Sequence, residues 1–324
     1  MFPLRRFVFL LVLAACASNA LSQSENWPNK PIKFVVTFPP GGSSDAAARI
    51  VAPRLAERLG QPVVVENRPG AGGGVGLDFT AKALGDGYTI VLASAGGLTA
   101  NPSLYPRLSY DPVRDFVPIT LFGTSPFILV ANPSLPVSSI ADVIKLAKAQ
   151  PEKLSYASGG NGTAMHLSGE LLKSMSQTRI LHIPYRGSSP ALLAVMAGDT
   201  QLAVVDITTA ASQIKSGRVK ALGVLGKTRS PMAPELPTLN ETGLVGFDAS
   251  GWFGILAPAS TPPAVAQRLN AEITAILRSQ EAREKFANAW LEPLPSSQEE
   301  MALLIKTETV KWSKVIKDSG ATVD

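Results

Sequence analysis

Hydrophobic positions along this chain switch between two periods. Residues 32–38, IKFVVTF, make a short, nearly unbroken apolar run, the pattern of a strand buried on both faces. AAARIVAPRLAERLG then repeats its apolar positions at helical spacing and stops at Gly60. PVVVENR predicts a strand, GLDFTAKAL a helix and YTIVLAS a strand. This β-α-β-α-β order predicts a parallel sheet covered by helices, with ligands outside the carboxyl ends of the strands. Residues 100–118, ANPSLYPRLSYDPVRDFVP, are too rich in proline for regular structure and are expected to be a connecting loop.

A second series follows. PFILVAN, KLSYASG, ILHIPY, TQLAVVD and VKALGVLG predict strands. Between them SSIADVIKLAKAQ, TAMHLSGELLKSM, SSPALLAVMAGD and TAASQIKSG predict helices. After Phe247 come a strand, GWFGILAP, and two helices, PPAVAQRLNAEITAILRS and SQEEMALLIKTETVKWSKVIKDSG. The expected architecture is α/β, two Rossmann-like lobes with a cleft between them. Residues 27–124 with 248–324 would form a discontinuous first lobe, and 125–247 the second.

The first strand runs into FPPGGSSDAAAR. Pro39 and Pro40 stiffen the chain and end strand pairing, whereas Gly41 and Gly42 let a ligand approach the main chain. Ser43 or Ser44 is expected to cap a helix starting near Asp45. The first N–H groups of a helix lack partners and carry the positive end of its dipole, so the junction suits a carboxylate. YASGGNGTAMHLSGE repeats this layout in the second lobe: a strand, a turn of Ser158, Asn161 and Gly162, then Thr163 at a helix start. Two such junctions facing one cleft would grip both ends of a small dianion. Asn67 is placed to fix the glycine-rich turn after the second strand.

Composition narrows the chemistry. The 324 residues are 45% hydrophobic and 17% charged, a globular composition with room for two domains. MFPLRRFVFLLVLAACASNA has two arginines, a short apolar run and then small residues, the layout of an export signal occupying residues 1–20 and cleaved after Ala20. LAAC at 13–16 also resembles a lipobox, in which Cys16 would carry the lipid of an anchored lipoprotein. Cys16 is the sole cysteine, so the mature domain has no thiol or disulfide chemistry, which suits an oxidising periplasm. Without Arg5 and Arg6 the net charge of +5 becomes +3, spread along the chain, with no basic run or aromatic ladder for nucleic acid.

Other motifs fail on spacing. PVVVENRPGAGGGVG lacks a dinucleotide fingerprint, since the third glycine position falls on Val75 or Leu77. ALGVLGKT is a relaxed phosphate-loop match, but Pro231, Pro234 and Pro237 prevent the helix such a loop must enter. His166 and Glu170 are four apart with no third metal ligand, and helix packing is the expected role. His182 lies in an apolar strand. There is no G-x-S-x-G, no H-E-x-x-H and no cysteine nucleophile, so neither an enzyme nor a cofactor or metal site is expected.

The order and spacing of FPPGGSSDAAAR, VVVENRPGAGGGVG, GDGYTI, NPSLYPRLSYDPVRDF, SGGNGTAMHLSGE, IPYRGSSPALLAVMAGD and PTLNETGLVGF resemble the Bug-type periplasmic receptors of tripartite tricarboxylate transporters over nearly the whole mature chain. The resemblance implies a monomeric Venus-flytrap fold, type II-like, that closes on a small organic carboxylate and delivers it to membrane permease subunits. The carboxylate could be a di- or tricarboxylate, an acidic amino acid or an aromatic acid. A sensory role, in which the loaded receptor signals to a membrane sensor, stays open beside transport. Carried over, the ligand-binding residues are Pro40, Gly41, Gly42, Ser43 and Asp45 of the first loop and Ser158, Asn161, Gly162 and Thr163 of the second. Asp45 is expected to shape its loop. Ser94 and Asp206 stand at strand tips, Asp206 either receiving a ligand ammonium or capping the next helix near Thr208.

Overall fold

The computed structural model describes residues 27–322 except Met232. The expected export signal, residues 1–20, and Cys16 fall outside the described residues. In the first lobe β1 (Ile32–Val36) lies between β2 (Val63–Asn67) and β3 (Thr89–Ser94), both parallel to it. β10 (Trp252–Pro258) runs antiparallel to β3 and to β4 (Phe116–Thr124), and β11 (Glu292–Pro293) pairs antiparallel with β4 at the edge. The sheet is therefore mixed. Its parallel part is the β-α-β-α-β series, and the strand that returns from the second lobe supplies the antiparallel insertion.

The second sheet has the order β7 (Leu181–Pro184), β6 (Ser155–Ser158), β8 (Leu202–Asp206), β5 (Phe127–Ala131), β9 (Lys220–Val224). β6 is parallel to β7 and β8, and β5 is antiparallel to β8 and β9.

Alternation of side chains explains the apolar runs. On β1, Ile32, Phe34 and Val36 face α1 (Ser43–Leu59) and α9 (Pro263–Arg278), packing with Val51, Leu55, Leu269 and Ile273. Val35 points the other way, toward Leu77 of α2 (Gly74–Ala81), Val91 and Leu256. On β5, Leu129 and Ala131 join one core with Tyr156 and Val204, while Ile128 and Val130 join the opposite core with Ala203 and Val205. Strands covered on both faces need apolar residues at every position, so no polar alternation shows.

Several elements depart from expectation. β4, whose first residues Phe116, Val117 and Pro118 fall in the stretch expected to be loop, and the short β11 were not foreseen. Part of the proline-rich stretch is helical: α3 (Ala95–Thr99) runs up to it, α4 (Asn101–Leu104) opens it ahead of an irregular segment, and Pro102 sits in the first turn of α4, where its missing N–H costs nothing. A further helix, α10 (Gln280–Asn288), follows α9 and is capped by the Ser279 side chain. The last helix, α11 (Gln298–Ser319), serves both lobes. Its Met301 and Ile305 pack into a first-lobe core, and Trp312 and Ile316 into a second-lobe core. Among the described residues no helix follows β9 directly, and the phosphate-loop match, 221–228, runs from β9 into irregular chain.

Candidate functional site

β1 ends at Val36 and the chain turns through Pro39 and Pro40 into α1. Gly42, extended at φ −92° and ψ 176°, is the N-cap, and the helix starts at Ser43 rather than near Asp45. No side chain caps it. Asp45 sits at the third helical position and its carboxylate reaches back to accept from the Gly41 N–H at 3.1 Å. Arg49 Nε and Asn67 Nδ2 also donate to that carboxylate at 3.0 Å, and Asn67 Nδ2 donates to the Phe38 carbonyl at 2.9 Å. Burial acts to raise the Asp45 carboxyl, but the hydrogen bonds from Arg49, Asn67 and Gly41 outweigh it and hold it below the usual carboxylate range. Asp45 thus shapes the loop from behind. Asn67, expected to fix the turn of its own strand, instead ties that strand's end to this loop. Among the described residues no acceptor meets the N–H groups of Ser43 and Ser44.

The second junction is built on a buried polar stack. Ser158 Oγ lies 2.7 Å from His182 Nε2 and accepts from the Gly160 N–H at 3.1 Å. His166 and His182 stack, and the Gly162 N–H donates to His166 Nδ1 at 3.3 Å. Thr163 caps α6 (Ala164–Ser176): its hydroxyl accepts from the His166 N–H at 3.2 Å and donates to the Gly160 carbonyl at 2.7 Å. The hydroxyls of Ser158 and Thr163 and the amide of Gly162 are therefore occupied in holding the loop's shape. His166 stands beside Glu170 without a third metal ligand, and no cluster of metal-binding side chains occurs among the described residues.

These two junctions meet a third. α7 (Ser188–Ala197) starts after Gly187, again without a side-chain cap. The first turns of α1, α6 and α7 converge on one inner cavity between the lobes, walled by Pro40, Gly42, Ser43, Ser94, Thr163, Ser188 and Asp206, with Phe127, Met165 and Phe253 as its apolar surfaces. It offers about 40 Å³ to the centres of water-sized occupants, room for a few waters or one carboxylate. Ser94 Oγ is buried there without a hydrogen-bond partner among the described residues. Asp206 caps α8 (Ile207–Lys215), its Oδ1 accepting from the Thr209 N–H at 3.0 Å and hydroxyl at 2.9 Å. Burial raises its carboxyl above the usual range against those hydrogen bonds. It is both cap and wall.

Of the residues singled out in the sequence, Pro40, Gly42, Ser43, Ser94, Thr163 and Asp206 line this cavity. Gly41, Asp45, Ser158 and Gly162 are not among its lining residues, and Asn161 lines a neighbouring chamber of about 660 Å³ with Tyr105, Tyr185 and the glycine turn 70–73. Arg186, Ser188 and Met165 were not foreseen. IPYRGSSP already carried a strand, a turn and a helix start, the same signal as the other two junctions. The lobes meet along glycines: a Cβ on Gly72 would lie 2.9 Å from the Asn161 carbonyl oxygen, and one on Gly96 would lie 2.7 Å from the Ala164 nitrogen.

Two α/β lobes with unpartnered helix starts turned into the seam between them define a solute-binding receptor of the periplasmic-binding-protein class. The model of the tripartite tricarboxylate transporter family receptor matches residues 47–321, and the chain belongs to that family. It is 41% identical to the UPF0065 protein in the tcbD-tcbE intergenic region of Pseudomonas sp. strain P51, over 96% of this chain and 93% of that one. It is 36% identical to protein BugT of Bordetella pertussis, over 96% of each. Among solved structures it resembles R. palustris Rpa4515 with adipate (TM-score 0.88, 34% identity, 92% of this chain and all of that one). It also resembles MatC from Rhodopseudomonas palustris with bound malate (TM-score 0.84, 30% identity, 90% of this chain and all of that one). Among the described residues no helix is long and apolar enough to cross a membrane.

Proposed function

We propose that this receptor binds a small organic carboxylate in the cleft and presents it to the membrane subunits of a tripartite tricarboxylate-type transporter. One observation carries the reading: three helix starts, α1, α6 and α7, share one small cavity in which Ser94 Oγ is buried without a partner. Partial positive charge from three helices favours an anion, and neutral N–H donors hold it without burying a permanent cation. The apolar faces of Phe127, Met165 and Phe253 exclude water, which strengthens those hydrogen bonds. Adipate and malate in the two related structures support the carboxylate class. On this reading the lobes would be the two discontinuous halves expected from the sequence, closing on the ligand. Ligand favours closure only by as much as it binds the closed form better.

The test is calorimetric titration with di- and tricarboxylates, amino acids and aromatic acids, followed by uptake of the best ligand in cells with and without this chain. Carboxylates are expected to bind, and uptake to fail without the receptor. A protein that binds none of these acids would refute the reading, and uptake unchanged by deletion would refute the transport half.

A further inference from the structure

The inner cavity and the outer chamber are neighbours that share Phe38, Pro39, Arg186 and Gly187. Pro39 and Gly187 line both and approach each other there, since a Cβ on Gly187 would lie 3.4 Å from the Pro39 ring. Room for one carboxylate on the inner side means that the body of any larger acid must pass this point. Beyond it the chamber is walled by proline, glycine, Phe38, Tyr105, Asn161 and Tyr185, and among the described residues Arg186 is its one charged lining residue.

Arg186 is placed rather than incidental. The N–H groups on either side of it, of Tyr185 and Gly187, both donate at 3.1 Å, to the carbonyls of Ser158 and Gly159. Its backbone is thereby fixed to the end of β6. Its side chain is exposed, and its guanidinium forms no ion pair or hydrogen bond among the described residues. A planar fork of donors without a partner, on the wall of an otherwise neutral chamber, suits a second carboxylate.

We infer that Arg186 is a specificity-determining residue that reads a second anionic group. The ligand is then a dianion that keeps one carboxylate at the helix starts and extends its body past Pro39 into the outer chamber. This rests on the inner cavity being a carboxylate site. The experiment compares acids of equal length, adipate against hexanoate and suberate against octanoate, by calorimetry on the wild type, Arg186→Gln and Arg186→Lys. A charge-assisted pair makes the wild type prefer the diacid by roughly tenfold or more. Arg186→Gln is expected to bring that ratio close to one, with Arg186→Lys in between. Because the side chain holds no other part of the protein, the fold should survive, and an unchanged melting temperature verifies this. A diacid preference that survives Arg186→Gln, or a wild type with no such preference while still binding the monoacids, overturns the assignment. If the wild type binds none of the four acids, the carboxylate reading itself fails and takes this assignment with it.

Discussion

The rings of His166 and His182 stack with centroids 4.1 Å apart and planes 20° apart, directly beneath the loop that starts α6. Burial lowers His166 to about 4, with Glu170 opposing and Lys173 assisting. Burial lowers His182 to about 3, assisted by His166 and Lys173. An unfolded histidine titrates near 6.5, so below that pH the unfolded chain binds protons that the folded one refuses. Stability should fall as pH drops from 6.5 toward 4, by about 1.4 kcal/mol per pH unit for each histidine. Thermal melts across that window should show the decline, and His182→Gln should make it shallower. A melting temperature that stays level from pH 7 to 5 would contradict the buried neutral pair.

Gly42 lines the cavity and a Cβ there would meet nothing within 4 Å, at a φ that any residue adopts. Gly42→Val should therefore leave stability within about 0.5 kcal/mol while filling the space in front of the α1 amides. Ligand affinity should drop roughly tenfold or more by calorimetry. Normal affinity would mean the ligand does not approach this loop.

Gly96→Ala tests closure. The added methyl would lie 2.7 Å from the Ala164 nitrogen and 2.8 Å from the Gly162 carbonyl oxygen, both main-chain atoms of the other lobe that cannot swing aside. Alanine suits a helix better than glycine by about 1 kcal/mol, so the separate lobes should be no less stable. Small-angle scattering should show no ligand-induced compaction, and affinity should fall. Compaction equal to that of the wild type would show that this seam is not where the lobes meet.

Asp206 lines the cavity proposed to take the carboxylate, and burial raises the titration of its own carboxyl. As pH rises through that raised value the group ionises and repels a diacid, so affinity should weaken with rising pH. Asp206→Asn keeps an oxygen for the Thr209 donors and removes the charge. It should flatten the pH profile and tighten diacid binding at neutral pH by roughly tenfold, about 1.4 kcal/mol. Weaker diacid binding by this variant would favour a ligand ammonium as the partner of Asp206.

Periodicity carried the fold where burial was two-sided or strongly one-sided. The strands IKFVV and FILVA and the capped helices after Ser139 and Ser297 were legible because local signal and packing agree. α10 was not, because only Ala282 and Phe286 of its nine residues are buried and the rest reads as polar connection. The antiparallel place of β10 was equally hidden, since pairing partners distant in sequence leave no local mark. In the site, glycine and serine at strand-to-helix junctions announced the helix starts. What escaped was which donors the loop itself consumes: Ser158, Gly162 and Thr163 look available in sequence, and only the stacked histidines and the Gly160 carbonyl reveal them as engaged.

The last helix, α11, is rooted in one lobe through Met301 and Ile305 and in the other through Trp312 and Ile316. Any gaping of the mouth must flex this rod or prise one of its ends out of its socket. Withdrawing a fully packed tryptophan would cost several kcal/mol, so small elastic excursions are favoured over wide ones. The rod thereby limits how far the two sheets can separate without unpacking one of its ends.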